Sequence, residues 1–317
     1  MTAQPKVTVI VLNWNGLDDT AECLEGLQSC AYPRFETIVV DNGSDNDEAG
    51  RLGQRFGDSV QIIENEANYG FAGGCNVAIR RALTRGADYV LLLNNDTVVD
   101  PAFLASLVSA AEGLPDAAAV CPKICDYHQR RLIQSTGGRV NPWTGRAHQV
   151  GRDEPDDGRY DRIEERDYAD GACMLIRRSA LERVGLLDED YFAYWEETDW
   201  CDRARAAGFK CYYVPTARIW HKGGRAFDAD SQRRYLFRRN AFLFLRKRKR
   251  VYHLVSAALF HLFVLAPLYV IRRPLSAGRL VAEARALLWH LPPARRQGAS
   301  PPAQKPKLSG RREHPRP

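Results

Sequence analysis

Four polar clusters in this 317-residue chain have the composition of a reaction site. Asn94-Asn95-Asp96 closes the apolar run Tyr89–Leu93. A carboxylate beside amides at the carboxyl end of a buried strand suits a divalent cation held against a phosphorylated ligand. The same three residues also spell an ordinary Asn/Asp turn. Glu196-Glu197 lie in DEDYFAYWEETDW, residues 188–200, just ahead of a helical pattern. A carboxylate there can take a proton from a hydroxyl, or simply cap the helix at its positive end. His221, in Trp220-His221-Lys222-Gly223-Gly224, is either a metal ligand or a hydrogen-bonded loop histidine. Asp41, opening Asp41-Asn42-Gly43-Ser44-Asp45, offers a carboxylate to a nucleobase N–H or a ribose hydroxyl, with an Asx turn as the alternative.

Such residues need a scaffold that gathers strand ends. Lys6–Leu12 and Phe35–Val40 read as strands on either side of a helix over Asp18–Ser29, a βαβ unit that implies a parallel sheet and a right-handed crossover. Further strands are expected at Val60–Ile63, Tyr89–Leu93, Ala117–Pro122, Gly171–Arg177 and Lys210–Val214. Gly70, Gly73 and Gly74 read as a tight loop whose following helix, Asn76–Arg85, points its N-terminus at an anion. The loop has neither the Lys-Ser/Thr of a Walker A motif nor GxGxxG spacing. Helices are expected from Asp100-Pro101 to Ala111, over Ser179–Val184, and from Thr198 to Ala207. Residues 126–168 loosen into a polar, irregular insertion of the kind that forms binding loops, with room for a hairpin.

Composition divides the chain. Residues 1–230 hold 25 Lys+Arg against 37 Asp+Glu, a balance of −12, whereas residues 231–317 hold 20 against 2, a balance of +18. An acidic body therefore carries a basic tail, which seeks a polyanion. None of the eight cysteines forms a CxxC pair, and no Cys/His spacing matches a structural zinc site, so unpaired, mostly buried thiols in a reducing compartment are expected. Strand-like residues begin by Val7, so no signal peptide is read.

The ordered set VTVIVLNWNG, VDNGSDN, ENEANYGFAGGCN, LLLNNDTVVDP, DGACMLIRR, GLLDEDYFAYWEETDWCDRARAAG and VPTARIWHKGG resembles the family 2 glycosyltransferases over residues 5–225. It is most similar to the bacterial rhamnosyltransferase and galactofuranosyltransferase-like branch. The resemblance implies an α/β GT-A fold, Rossmann-like with a mostly parallel sheet, a nucleotide-sugar donor, Mg²⁺ or Mn²⁺, and inversion at the sugar. It assigns Asp41, Asn13, Asn15, Gly70, Gly73, Asn76, Asn95 and Asp96 to the nucleotide-sugar. Asp96, His221 and Asn94 would hold the metal, and Glu197 would be the general base. Gly171, Ala172, Trp195 and Glu196 would border the acceptor, a glycan or lipid-linked hydroxyl. Two departures stand out: Asn94 replaces the first carboxylate of a DxD-type motif, and Glu stands at the base where Asp is common. The expected reaction is transfer of a sugar, rhamnose first, from a dTDP- or UDP-sugar. The alternative is a non-catalytic nucleotide-sugar-binding or scaffold protein in which Asn94 reflects lost metal chemistry.

These readings divide the chain into a catalytic domain at 1–230, basic and apolar membrane-associated helices at 231–291, and a disordered Pro/Arg-rich tail at 292–317. Val251–Ile271 is an apolar run of 21 residues following Arg246–Arg250. It is long enough to cross a bilayer, and in-plane insertion or burial as a soluble helix are the other options. Leu280–Leu291 reads as a second amphipathic helix. An apolar run has no use on a phosphate backbone, so an anionic membrane surface at the cytoplasmic face of a bacterial plasma membrane is expected over nucleic acid.

Overall fold

The computed structural model describes residues 4–223, 230–265 and 289. The chain runs β1 (Val7–Asn13), α1 (Leu17–Gln28), β2 (Phe35–Asp41), α2 (Glu48–Phe56), β3 (Gln61–Glu64), α3 (Gly70–Thr84), β4 (Tyr89–Asn94), β5 (Thr97–Val99) and α4 (Phe103–Gly113). It continues through β6 (Ala117–Asp126), β7 (Leu132–Ser135), β8 (Gly138–Asn141), β9 (Arg146–Gln149), β10 (Glu154–Pro155), β11 (Glu164–Arg166), β12 (Cys173–Arg177) and α5 (Arg178–Val184). It ends in α6 (Glu196–Ala206), β13 (Lys210–His221), α7 (Asp230–Arg248) and α8 (Val251–Phe260).

The main sheet is ordered β10-β7-β6-β12-β4-β1-β2-β3. β1 pairs in parallel with β2 and β4, and β2 with β3, as the βαβ reading required. β12 enters antiparallel between β4 and β6. Alternate side chains of β1 face opposite ways. Val7, Val9 and Val11 pack with α1, α2 and α4, whereas Ile10 packs with α3, α5 and α6. Helices thus cover both faces, which is why the central strands are continuously apolar.

Register sets the site. Asn13 is paired with Asp41 and Leu12 with Asn94, so the polar strand ends align along one edge. β13 is longer than the expected Lys210–Val214. Its ladder with β6 shifts between Val214 and Arg218, a bulge where Pro215 can offer no N–H, and then resumes. The resumed stretch pairs His221 with Thr97 of β5 and with Asp126 of β6.

Residues 126–168 form an excursion of short strands that includes the antiparallel β8–β9 hairpin, Asn141 opposite Arg146 at its turn and Gly138 opposite Gln149 at its base. The buried Lys123 ammonium anchors it to Asp156 and Asp161, 2.6 and 2.7 Å away. All eight cysteines are free. Seven are buried on α1, α3, β6, β12, α6 and β13, and Cys30 is partly covered.

The division drawn at residue 230 separates groups that pack together. The end of α7 and the residue after it lie on α6 and on the segment ahead of it: Lys247 pairs with Asp188 and Asp190, Arg248 with Asp199, and Lys249 with Asp202. Three of the five basic residues at 246–250 are therefore spent within the protein. α8 continues as one π-helical turn, His261–Leu265. The rest of the expected Val251–Ile271 run, the helix at 280–291 apart from Trp289, and the 292–317 tail lie outside the described residues. Among the described residues no helix is long and apolar enough to cross a membrane.

Candidate active site

β4 ends at Asn94, and the turn into β5 presents Asp96, almost buried. Its Oδ1 lies 3.1 Å from His221 Nε2, and Asn94 Nδ2 lies 3.4 Å from the same nitrogen. Gln134 on β7 sets the imidazole's tautomer. Its Nε2 donates to Asp126 Oδ2 at 3.1 Å and to the His221 carbonyl at 2.9 Å, which turns its Oε1 towards His221 Nδ1 at 2.9 Å. Nδ1 thus carries a hydrogen, leaving Nε2 as the face turned to Asp96. Burial lowers the imidazole's affinity for a proton, but the hydrogen bond and charge of Asp96 outweigh it and hold the pKa above its ordinary value.

A carboxylate, an imidazole nitrogen and an amide fit Mn²⁺ or Mg²⁺ as a partial shell, to be completed by phosphate or water oxygens. Among the described residues no group of three or more His, Cys, Asp and Glu side chains is gathered. Asn95 points elsewhere. Its Nδ2 donates to Thr20 Oγ1 at 2.9 Å, and a Cβ on Gly16 would stand 2.6 Å from that nitrogen.

Asn13, Asn15 and Asp41 meet at the neighbouring strand ends. Asn13 Nδ2 donates to Asp41 Oδ1 and to Glu48 Oε2, each at 2.8 Å, and Thr20 Oγ1 donates to Asn13 Oδ1 at 2.7 Å. Asn15, at positive φ, exchanges hydrogen bonds with Asp45. Asp41 also accepts from Ser44, so both loops are braced against each other.

The glycine-rich stretch is not a loop. α3 begins at Gly70, and its glycines permit close packing: a Cβ on Gly74 would stand 2.5 Å from Leu12 Cδ1, and one on Gly73 2.9 Å from Tyr69 Cβ. Gly70, at φ +74, lies against Phe192, whose carbonyl oxygen would be 2.4 Å from such a Cβ. Asn76 is buried with its amide committed, donating to the Leu187 carbonyl and Glu189 Oε1 and accepting from Leu187 N–H. It ties α3 to the segment that leads to α6, which leaves it no polar atom for a nucleotide.

That segment carries the acidic pair. Trp195 precedes α6 in left-handed conformation, and Glu196 and Glu197 open the helix. Among the described residues Glu196 Oε2 and Trp195 Nε1 are buried polar atoms without a hydrogen-bond partner. Burial, then the neighbouring Glu197, pushes Glu196 well above the ordinary carboxylate range. Glu197 lies against Gly171, where a Cβ would come 3.4 Å from its Cγ. Burial, then the charge of Asp170, raises Glu197 to about 7.

Asp170 joins the two halves. It accepts from Ala172 N–H at 3.0 Å and from Gln149 Nε2 at 3.0 Å, and its charge raises both Glu197 and His221. Asn94 N–H in turn donates to the Ala172 carbonyl at 2.9 Å. Residues 170–172 therefore touch the end of β4 through Asn94 and touch Glu197 through Gly171. Asp170, Gln134 and Glu48 are the site residues that sequence reasoning missed. Only Asp170 had a local signal, its place beside Gly171-Ala172.

The family described as glycosyltransferase-like family 2 matches residues 5–238. The N-acetylglucosaminyl-diphospho-decaprenol L-rhamnosyltransferase of Mycobacterium tuberculosis is 30% identical over 217 residues, 61% of this chain and 68% of its own. The low-salt glycan biosynthesis hexosyltransferase Agl10 of Haloferax volcanii is 25% identical over 241 residues, 75% of this chain and 74% of its own. The mannosyltransferase PcManGT of Pyrobaculum calidifontis, solved with GDP-Man and Mn²⁺, superposes with a TM-score of 0.57 at 19% identity, covering 93% of this chain and 83% of the other. That likeness identifies the GT-A-like α/β fold.

Proposed function

The chain belongs to glycosyltransferase-like family 2, and from that premise we propose that it transfers a hexose, rhamnose first among the candidates, from a dTDP- or UDP-sugar to a hydroxyl of a lipid-linked or cell-surface glycan, with inversion. The observation that carries this reading is Glu197. It is a carboxylate with a pKa of about 7 at a helix start, lying against Gly171 in the 170–172 stretch that also bonds the end of β4 two residues ahead of Asp96. A base poised near neutrality takes a proton most effectively at neutral pH.

Glu197 accepts the proton of the acceptor hydroxyl as its oxygen forms a bond to the anomeric carbon. The bond from that carbon to the β-phosphate oxygen breaks, and the nucleoside diphosphate leaves with the electron pair. Attack from the face opposite the leaving group inverts the centre. Asp96, His221 and Asn94 would hold Mg²⁺ or Mn²⁺, which when bound neutralises charge on the departing diphosphate. Gln134 keeps His221 in one tautomer. Glu196, favoured as the neutral acid, donates a hydrogen bond to a sugar oxygen, and Trp195 Nε1 offers a second donor. Asn13, Asn15 and Asp41 frame the nucleoside end.

The test combines a nucleotide-sugar panel with one substitution. A dTDP- or UDP-sugar should raise the thermal midpoint, more so with Mn²⁺. Glu197→Gln should keep that shift while turnover falls about 10²–10⁴-fold. Undiminished turnover would remove Glu197 from the mechanism, and no response to any nucleotide-sugar would remove the donor assignment.

A further inference from the structure

α8 is built the wrong way round for a helix in water. Val251, Tyr252, Val255, Leu259, Leu262 and Phe263 recur at helical spacing on its outer side, with Val251 73%, Leu262 62% and Phe263 67% exposed. Its inner side is taken. Ala257 is fully buried and Leu254 packs in the same cluster with Phe242, Phe244 and Leu245 of α7. No carboxylate or ammonium interrupts the outer stripe, and a contiguous apolar patch of this kind marks an interaction surface.

A second element joins it. The β8–β9 turn docks on α8 through Ser256 Oγ, which donates to the Trp143 carbonyl at 2.9 Å, and through His261 Nε2, 2.9 Å from the Thr144 carbonyl. Trp143 itself is 56% exposed and stacks on Tyr252, centroids 5.6 Å apart. An aromatic ring with an N–H handle beside an apolar stripe suits a lipid–water interface. The charge agrees: Arg250 is exposed at the stripe's start, and the sequence from there to residue 282 adds Arg272, Arg273 and Arg279 with no acid.

We propose that the outer face of α8 and Trp143 together form an in-plane docking surface for an anionic lipid bilayer. With one side of α8 fixed to α7 and to the β8–β9 turn, only the other can enter lipid, so the helix lies along the interface. The hairpin then links membrane to chemistry. Its base residue Gln149 holds Asp170, the neighbour of Glu197, and the three-residue rise of β9 puts Gln149 about 10 Å from the turn that carries Trp143. A lipid-linked acceptor is thereby presented at the height of the base. That last point rests on the proposed function, whereas the docking face does not.

Full-length protein is floated with vesicles of phosphatidylcholine and phosphatidylglycerol, and with phosphatidylcholine alone. The wild type should float with the anionic vesicles, and Leu259→Glu and Phe263→Glu should each lower partitioning about tenfold or more. Brominated lipid should quench the wild-type fluorescence, and Trp143→Phe should float yet lose most of that quenching. Equal flotation of the wild type and both glutamate variants, unchanged quenching in Trp143→Phe, or a solution dimer that Leu259→Glu dissociates would each overturn the proposal, the last by giving the face to a second copy. Donor hydrolysis in Phe263→Glu should match the wild type. Flotation without any turnover would sink the transfer reading and leave the docking face standing.

Discussion

Glu197 sits where three influences meet: burial and Asp170 raise its pKa, and the start of α6 opposes them. The outcome, about 7, has a sign that can be checked in two ways. Turnover depends on the ionised carboxylate, so kcat/KM should rise with pH through about 7, and Asp170→Asn should move that limb to lower pH. The folded value lies above the ordinary 4.5, so this group's proton favours the native state. Its stabilising contribution is complete below about 4.5 and lost as pH rises through about 7. At the metal end, Gln134→Leu should weaken Mn²⁺ binding about 10–100-fold by releasing His221's tautomer, and His221→Ala should weaken it further. Unchanged affinity in a manganese titration of both would take the histidine out of the shell. Asp96, His221 and Glu197 stood out as candidates because each lies at a strand end or helix start, and the family resemblance chose between their structural and chemical readings. Gln134 and Glu48 did not, since they act through partners far away in sequence, and Asp170 had only its place beside Gly171-Ala172 to mark it. Asn76 was expected along the nucleoside from the resemblance; here its amide ties α3 to the segment before α6, and the glycines ahead of it let α3 approach β1 instead of forming a loop.

One short segment governs the elements around the base. Phe192, Tyr194 and Trp195 all hold positive φ without being glycine, a conformation that costs about 1–3 kcal/mol per residue and persists only where neighbours enforce it. α7 supplies the enforcement. Asn240 Nδ2 donates to the carbonyls of Tyr191, Ala193 and Tyr194, and Arg239 Nη2 to those of Asp190 and Tyr191, both side chains being buried. Asn240→Ala removes the donor from the Ala193 and Tyr194 carbonyls, while Tyr191's keeps Arg239, at about 1–3 kcal/mol for each left unpaired, so the thermal midpoint should fall by about 5–10 °C. A chain cut after residue 223 should lose turnover altogether. Full activity and an unshifted midpoint in both would show that the segment holds its own shape. None of this was visible in sequence, where residues 231–250 read as a cationic stretch and their partners lie some fifty positions earlier. The early βαβ unit was easier, because its apolar runs and polar endings are local. β13 was cut short at Pro215 because a bulge and a strand end look alike until the partner strand is known.

At the scale of the molecule, the contrast between an acidic body and a basic tail was correctly counted and only partly understood. Lys247, Arg248 and Lys249 are cross-links between the two, leaving the outer side of α8 rather than the arginine cluster as the distinctive surface. The distribution of thiols gives this architecture an internal reporter. Cys23, Cys75, Cys121, Cys125, Cys173, Cys201 and Cys211 are shielded in nearly every layer, on both sides of the sheet. A small alkylating reagent can therefore reach each one only when its own element opens. Mass-resolved labelling over time would rank those openings helix by helix, and adding nucleotide-sugar should slow Cys201 on α6 more than Cys23 on α1.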